Sequence, residues 1–342
     1  MDFNITTVTD IFFRVAAVGQ LFMFFTILIR PNSFSRYKNI LLLGLCIASY
    51  LLLSAPIADE QYGFLRNILL IFTDYMAFAF WLVIYPLFNQ FPAKKIMKYL
   101  FAGIFAGNII FFGFTDGDGF YHVMVHWISL FLLFHCIYMA ISGLNDDLMD
   151  QRRKFRVWFT GITCLIFSII AYSEIFDDSI RHTPAFSALI SIGFFILIAY
   201  MGRILISPSL SDILIVPDSN KNPNINDIPN KYKAHYNALN KFMSEGGYRQ
   251  ENLSIKNLSY TLSIPEHQLR YLINSCLGYR NFSTYLNEYR IKEACERLKD
   301  ENEASTQILT IAMDLGYGSV GSFNRAFRNE TGKSPREFKA KE

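Results

Sequence analysis

Seven stretches between residues 1 and 206 are apolar over lengths that match the roughly 30 Å hydrocarbon core of a bilayer. They lie near 11–29, 40–58, 67–88, 99–114, 121–144, 157–176 and 186–206. In lipid every backbone N–H and C=O must be satisfied within the protein, so a chain with such runs crosses as helices. The spacing therefore predicts a seven-helix transmembrane bundle. The fourth run, YLFAGIFAGNIIFFGF, is short and rich in Gly and Ala, which suits a helix packed closely against its neighbours. Composition excludes a single soluble globule: 52% of the residues are hydrophobic and only 18% are charged, where soluble domains average about a quarter charged.

The loops between these runs alternate in charge. RPNSFSRYK, QFPAKKIMK and DQRRKFR carry Arg30, Arg36, Lys38, Lys94, Lys95, Lys98, Arg152, Arg153, Lys154 and Arg156, whereas ADEQYGFLR, TDGDGFY and DDSIRHT carry only Arg66 and Arg181. Basic loops stay in the cytoplasm. The N-terminus is then expected outside, and an odd number of spans returns the C-terminus to the cytoplasm. MDFNITTVTD has no Lys or Arg before the first run, so it lacks the charged start of a cleavable signal peptide and the first span is expected to remain. The five cysteines, Cys46, Cys136, Cys164, Cys276 and Cys295, form no CxxC pair and read as reduced structural thiols.

After Arg203 the composition changes. SPSLSDILIVPDSNKNPNINDIPNK holds four prolines among Asn and Asp, a flexible linker by composition. From about Lys231 short amphipathic helices follow with clear punctuation. Ser254 precedes an apolar series at Ile255, Leu258 and Leu262; SIPE turns into EHQLRYLINSC; Asn281 begins a longer helix; Thr306 opens TQILTIAMDL. Gly316 stops that helix, Ser319 starts the next and Gly332 ends it, and SPRE at 334–337 has the form of a capping box. Leu269 and Ile273 recur as Phe323 and Phe327, 54 residues later. The reading is two helix-turn-helix units joined by a long central helix.

FSTYLNEYRIKEACERL followed by ILTIAMDLGYGSVGSFNRAFRNETGKSPREF resembles the DNA-binding domain of the AraC/XylS family of transcriptional regulators, over about residues 232–340. Matching positions include Phe282, Tyr285, Arg290, Ala312, Gly316, Tyr317, Ser319, Phe323, Arg325, Phe327, Gly332, Pro335 and Phe338. The whole chain is similar to members of that family in which a multi-span membrane domain replaces the soluble sensor. The resemblance implies an all-α protein: a seven-span sensor domain (1–206), a linker (207–230) and a DNA-binding domain (231–342). It implies a membrane-anchored, sequence-specific DNA-binding transcriptional regulator of the bacterial inner membrane, not an enzyme, and without a cofactor. Its partners would be double-stranded DNA, the lipid bilayer, RNA polymerase, a small-molecule or envelope signal, and a second copy of the chain as a homodimer.

In that family two recognition helices enter successive major grooves, which a separation of about 34 Å permits. Carried over by position, His267, Arg270, Tyr271 and Asn274 on the first helix and Ser322, Asn324 and Arg325 on the second would contact bases. The second helix departs from the family pattern at Val320 and Gly321, so readout is expected to lean on the first. Residues 231–342 hold 17 Lys and Arg against 13 Asp and Glu, a net of +4; Lys256, Arg280, Arg328, Lys333 and Arg336 are the expected phosphate contacts.

Ionisable residues inside spans are costly and point to function. Arg14, Asp74, His126 and Glu174 fall at similar depth in the expected topology and make a candidate ligand pocket. His122 and His126 are four apart on one helix, with Asp116, Asp118 and His182 on the same side. No third metal ligand is fixed by the spacing, so a packed histidine pair without metal is expected. A membrane enzyme or transporter with a regulatory helix-turn-helix is the alternative reading, although the spans hold no HExxH or GxSxG and show no duplicated half. A scaffold that has lost DNA binding is a third.

Overall fold

The computed structural model describes residues 4–29, 34–57, 59–89, 95–115, 119–176, 178–181, 183–206, 228–303 and 305–339. Every regular element among them is helical, and the chain divides into two compact units. The expected linker lies outside the described residues except for 228–230.

The first unit contains α1 (Ile5–Leu28), α2 (Phe34–Leu53), α3 (Leu65–Asp74), α4 (Met76–Phe88), α5 (Lys95–Phe114), α6 (Phe120–Ser142), α7 (Asp150–Phe176), the single turn α8 (Asp178–Arg181) and α9 (Pro184–Ile206). Among the described residues six helices are long and apolar enough to cross a membrane, with α3 and α4 acting as one run, and a seventh, Tyr37–Leu53, is shorter. The expected fourth span is a full helix of 20 residues. The third is broken at Tyr75, directly after the buried carboxylate of Asp74.

The core of this unit is aromatic. Phe78, Phe80, Phe155 and Phe194 are fully buried. The outer surface is equally apolar: Phe12, Phe22, Phe131, Phe134, Trp158 and Leu165 are all exposed, a surface that water penalises and lipid does not.

DQRRKFR, expected as a loop, is instead the start of α7. Arg152 is 1% exposed, and Arg156 donates to the carbonyls of Met139 (2.9 Å) and Ala140 (3.3 Å) while stacking over Phe88 at 4.4 Å. These carbonyls end α6, where a cation is favoured by unpaired C=O groups and by the helix dipole. A Cβ at Gly143 would meet the Arg156 guanidinium, which would have to shift to make room.

The second unit is the short segment Leu144–Asp150 together with the described residues after 227. Its helices are α10 (Asn230–Ser244), α11 (Ile255–Leu262), α12 (Glu266–Tyr271), continued by a wider turn over Leu272–Cys276, α13 (Phe282–Lys299), α14 (Ile308–Asp314), α15 (Val320–Thr331) and α16 (Pro335–Lys339). α13 belongs to two cores. Its first half gives Phe282, Tyr285 and Leu286 to a cluster with Leu258, Leu269 and Ile273; its second half gives Ile291, Ala294 and Leu298 to another with Ile311, Phe323 and Phe327.

Caps agree with the sequence at most positions. Ser254 accepts from the Asn257 amide and Ser319 from the Ser322 amide. Ser334 and Glu337 bond reciprocally at 2.8 and 3.2 Å, and the backbone amide of Ser334 holds the Glu337 carboxyl below its ordinary range. α14 starts at Ile308 after Gln307 rather than at Thr306. At Gly316, φ is +80° and a Cβ would strike the Arg249 carbonyl.

Asn281 precedes α13 without a side-chain cap of its own. Asp146 supplies it from 137 residues away: its carboxylate accepts from the Ser283 amide at 2.7 Å and from the Ser283 hydroxyl at 2.6 Å, and its carbonyl accepts from the Phe282 amide. A carboxylate at a helix N-terminus both satisfies donors and opposes the dipole. Asp146→Ala should cost about 1 kcal/mol, seen as roughly fivefold faster hydrogen exchange through Phe282–Lys299. Unchanged exchange would show that the cap contributes nothing.

Candidate functional site

The two helices expected to read DNA are built alike. Each follows a short helix and carries a pair of fully buried apolar residues on its inner face, Leu269 and Ile273 in the first and Phe323 and Phe327 in the second. Burial of these residues fixes which side chains are left for solvent.

On α12, His267 is exposed and Tyr271 is 42% exposed, stacked on Tyr232 with ring centres 4.8 Å apart. Arg270 is only 6% exposed. Its guanidinium bonds Glu266 at 2.8 Å through Nε and the Asp147 carbonyl at 2.6 Å through Nη1. Asn274 donates to the Tyr279 carbonyl at 2.9 Å and so closes the turn after the helix. On α15, Asn324 and Arg325 are exposed, while the Ser322 hydroxyl donates back to the Ser319 carbonyl at 2.7 Å.

Arg270 and Asn274 are engaged within the protein, and the second helix presents the solvated Asn and Arg. Lys256, Arg328, Lys333 and Arg336 are exposed, as phosphate contacts require; Arg280 is half-buried, with its carbonyl accepting from the Leu148 amide.

The segment that engages Arg270 was not found from the sequence. Asp146 caps α13, the Asp147 carbonyl holds Arg270, Leu148 is buried with the apolar side of α12, and Asp147 pairs with Asn281 in an isolated antiparallel bridge. The available signal was NDDLMD, an acidic run directly before the basic QRRKFR.

Arg290 ties the unit together. It donates to the Tyr248 and Gln250 carbonyls at 2.7 and 2.9 Å and lies over the Tyr317 ring. Burial lowers its readiness to hold a proton below that of an ordinary arginine, yet the two carbonyls and the ring suit a cation.

Residues 258–341 match the family model described as a helix-turn-helix domain. The chain ends in a DNA-binding helix-turn-helix domain. Searches of curated proteins and of solved structures give no significant match. The domain match begins inside α11 and includes both helices expected to read DNA, and all the expected base and phosphate contacts except Lys256.

In the first unit the four expected pocket residues separate into two sites. Arg14 bonds Asp10 at 2.9 Å, Ser187 at 2.7 Å, Ser54 at 2.8 Å and the Leu51 carbonyl. This joins α1, the end of α2 and α9, and it borders a cavity of about 190 Å³ lined by Thr7, Asp10, Ser54, Thr183 and Ser187. Asp74, His126 and Glu174 gather instead around His122. Asp116, Asp118 and His182 lie outside the described residues.

An exposed arginine such as Arg325 can bond guanine in bidentate fashion, whereas Lys333 is expected at backbone phosphate. Arg325→Ala is expected to relax base preference at one position of the binding site by about 1–3 kcal/mol, and Lys333→Ala to weaken all sequences alike. A selection from random duplexes checks both; an unchanged base preference for the Arg325 variant removes it from the reading set.

Proposed function

We propose that this chain is a membrane-anchored, sequence-specific DNA-binding transcriptional regulator of the AraC/XylS type. The observation that carries the reading is a helix-turn-helix domain at 258–341 in the same chain as six long apolar helices. Tyr37–Leu53, within the 20-residue helix α2, makes the seventh span. Alternation of basic loops supports an external N-terminus and a cytoplasmic DNA-binding domain in a bacterial inner membrane. Both helix-turn-helix units contact DNA, one at each of two successive major-groove faces.

Signal passes through Leu144–Asp150. Its two ends continue into α6 and α7, and its middle holds Arg270 and caps α13. In the state described here Asp147 holds Arg270; in the reading state Arg270 turns to guanine. A signal molecule acts only by binding one of these states better than the other, and the polar cavity beside Arg14 is where a small ligand would do so.

The full chain in lipid nanodiscs, offered random duplexes, is expected to enrich a bipartite motif with half-sites about 10 base pairs apart. Recovery of sequences no different from the input library would remove the reading of a sequence-specific regulator.

A further inference from the structure

A buried group of ligating side chains in the first unit has no place in the DNA-reading account. Asp74 ends α3, His122 and His126 lie on the first turns of α6, and Glu174 lies on the last turn of α7. Helical spacing of four puts both imidazoles on one face. Asp74 is 3% and His126 7% exposed.

The distances define an arrangement of donors. His122 Nδ1 is 2.9 Å from Asp74 Oδ2, and His122 Nε2 is 3.2 Å from His126 Nε2. The other Asp74 oxygen, Oδ1, is 3.8 Å from His126 Nε2, and Glu174 Oε2 is 3.8 Å from His122 Nε2. Asp74, His122 and His126 each bring one ligand atom within 4.8 Å of the other two. A four-coordinate ion with bonds of about 2.0–2.2 Å spaces its ligands roughly 3.3 Å apart. The two imidazole nitrogens at 3.2 Å fit such a shell, and the Asp74 and Glu174 oxygens at 3.8 Å would each have to close by about half an ångström to join it.

The hydrogen bond to Asp74 also sets the chemistry of the ring. With Nδ1–H donating to Asp74 Oδ2, His122 presents a lone pair at Nε2, and the second Asp74 oxygen, Oδ1, is left on the side of His126. That lone pair faces the Nε2 of His126. Two imidazole nitrogens at 3.2 Å are held together by a shared proton or by a cation, and two adjacent carboxylates in an apolar setting favour the greater positive charge. Phe112, fully buried, sets its edge against His122 and shields the group from water.

We propose that Asp74, His122 and His126, with Glu174 at the rim, bind one divalent first-row transition-metal ion. Imidazole with carboxylate suits zinc and its neighbours rather than magnesium or calcium. Bound there, the ion joins α3, α6 and α7. The inference does not depend on the DNA-reading account.

The test uses the purified full-length chain in detergent, freed of any affinity tag, stripped with a chelator and titrated calorimetrically with ZnCl2. One Zn2+ per chain is expected, with a rise in Tm, and Co2+ in its place should give the visible absorption of a four-coordinate site. His126→Gln and Asp74→Asn should each weaken zinc binding by roughly 100-fold while melting close to the chelated wild type. Should these variants fail to fold, X-ray absorption at the zinc edge of the wild type decides, with two imidazole ligands expected. The proposal is overturned by the absence of a stoichiometric ion, by unchanged affinity in both variants, or by a zinc edge without imidazole. A wild type that takes no zinc but whose Tm follows pH makes the pair a shared-proton contact, and overturns it equally.

Discussion

The second unit depends on one helix being held at three places. Phe282–Lys299 is capped at its start by Asp146, pinned at its middle by Arg290, and closed at its end by Arg297, which bonds Glu303 at 2.8 Å and Asp314 at 3.0 Å. Because each half of the helix fills a different core, its straightness fixes one helix pair relative to the other. If both units enter grooves, as proposed, such a spacer is needed, since a small rotation of one head would carry its side chains out of reach. Arg290 acts here by structure: it joins the carbonyls of Tyr248 and Gln250 to the Tyr317 ring, beside the point where Gly316 lets the backbone approach Arg249.

The first unit follows the opposite solvent logic. Its surface is as apolar as its core, and its polar side chains are gathered inside. Arg14 with Asp10, and Asp74 with two histidines, are networks that a bilayer interior tolerates only when every member has partners. Arg156 shows one residue serving two constraints. It counts among the basic residues from which the orientation is proposed, and it also closes the end of α6.

Much of this was legible in the sequence because it is local. Apolar run length predicts the long helices, and short-range polar pairs predict the caps at Ser254, Ser319 and Ser334. The equivalence of Leu269 and Ile273 with Phe323 and Phe327 was readable from spacing, and all four are fully buried. What was missed depends on contacts across long separations. Nothing near Arg270 in sequence indicates that the Asp147 carbonyl, 123 residues away, engages it. Equal depth along the spans brought Asp74, His126 and Glu174 together, but it did not indicate that Asp74, 48 residues before His122, bonds that ring, or that Arg14 belongs to a separate network. The break at Tyr75 and the start of α7 at Asp150 were hidden for a related reason: composition reports that a segment is apolar or charged, but not where its backbone hydrogen bonds stop.

Joining a lipid-adapted unit to a DNA-adapted one makes a physical claim about sidedness: the exposed Arg and Lys of the helix-turn-helix domain must lie on the face of the membrane where DNA is. Membrane vesicles from cells making the full chain test it directly. Inverted vesicles, with the cytoplasmic face outward, are predicted to bind a fluorescent duplex and to release it as salt rises, whereas right-side-out vesicles bind none. Binding to right-side-out vesicles alone, or to neither, would contradict the account.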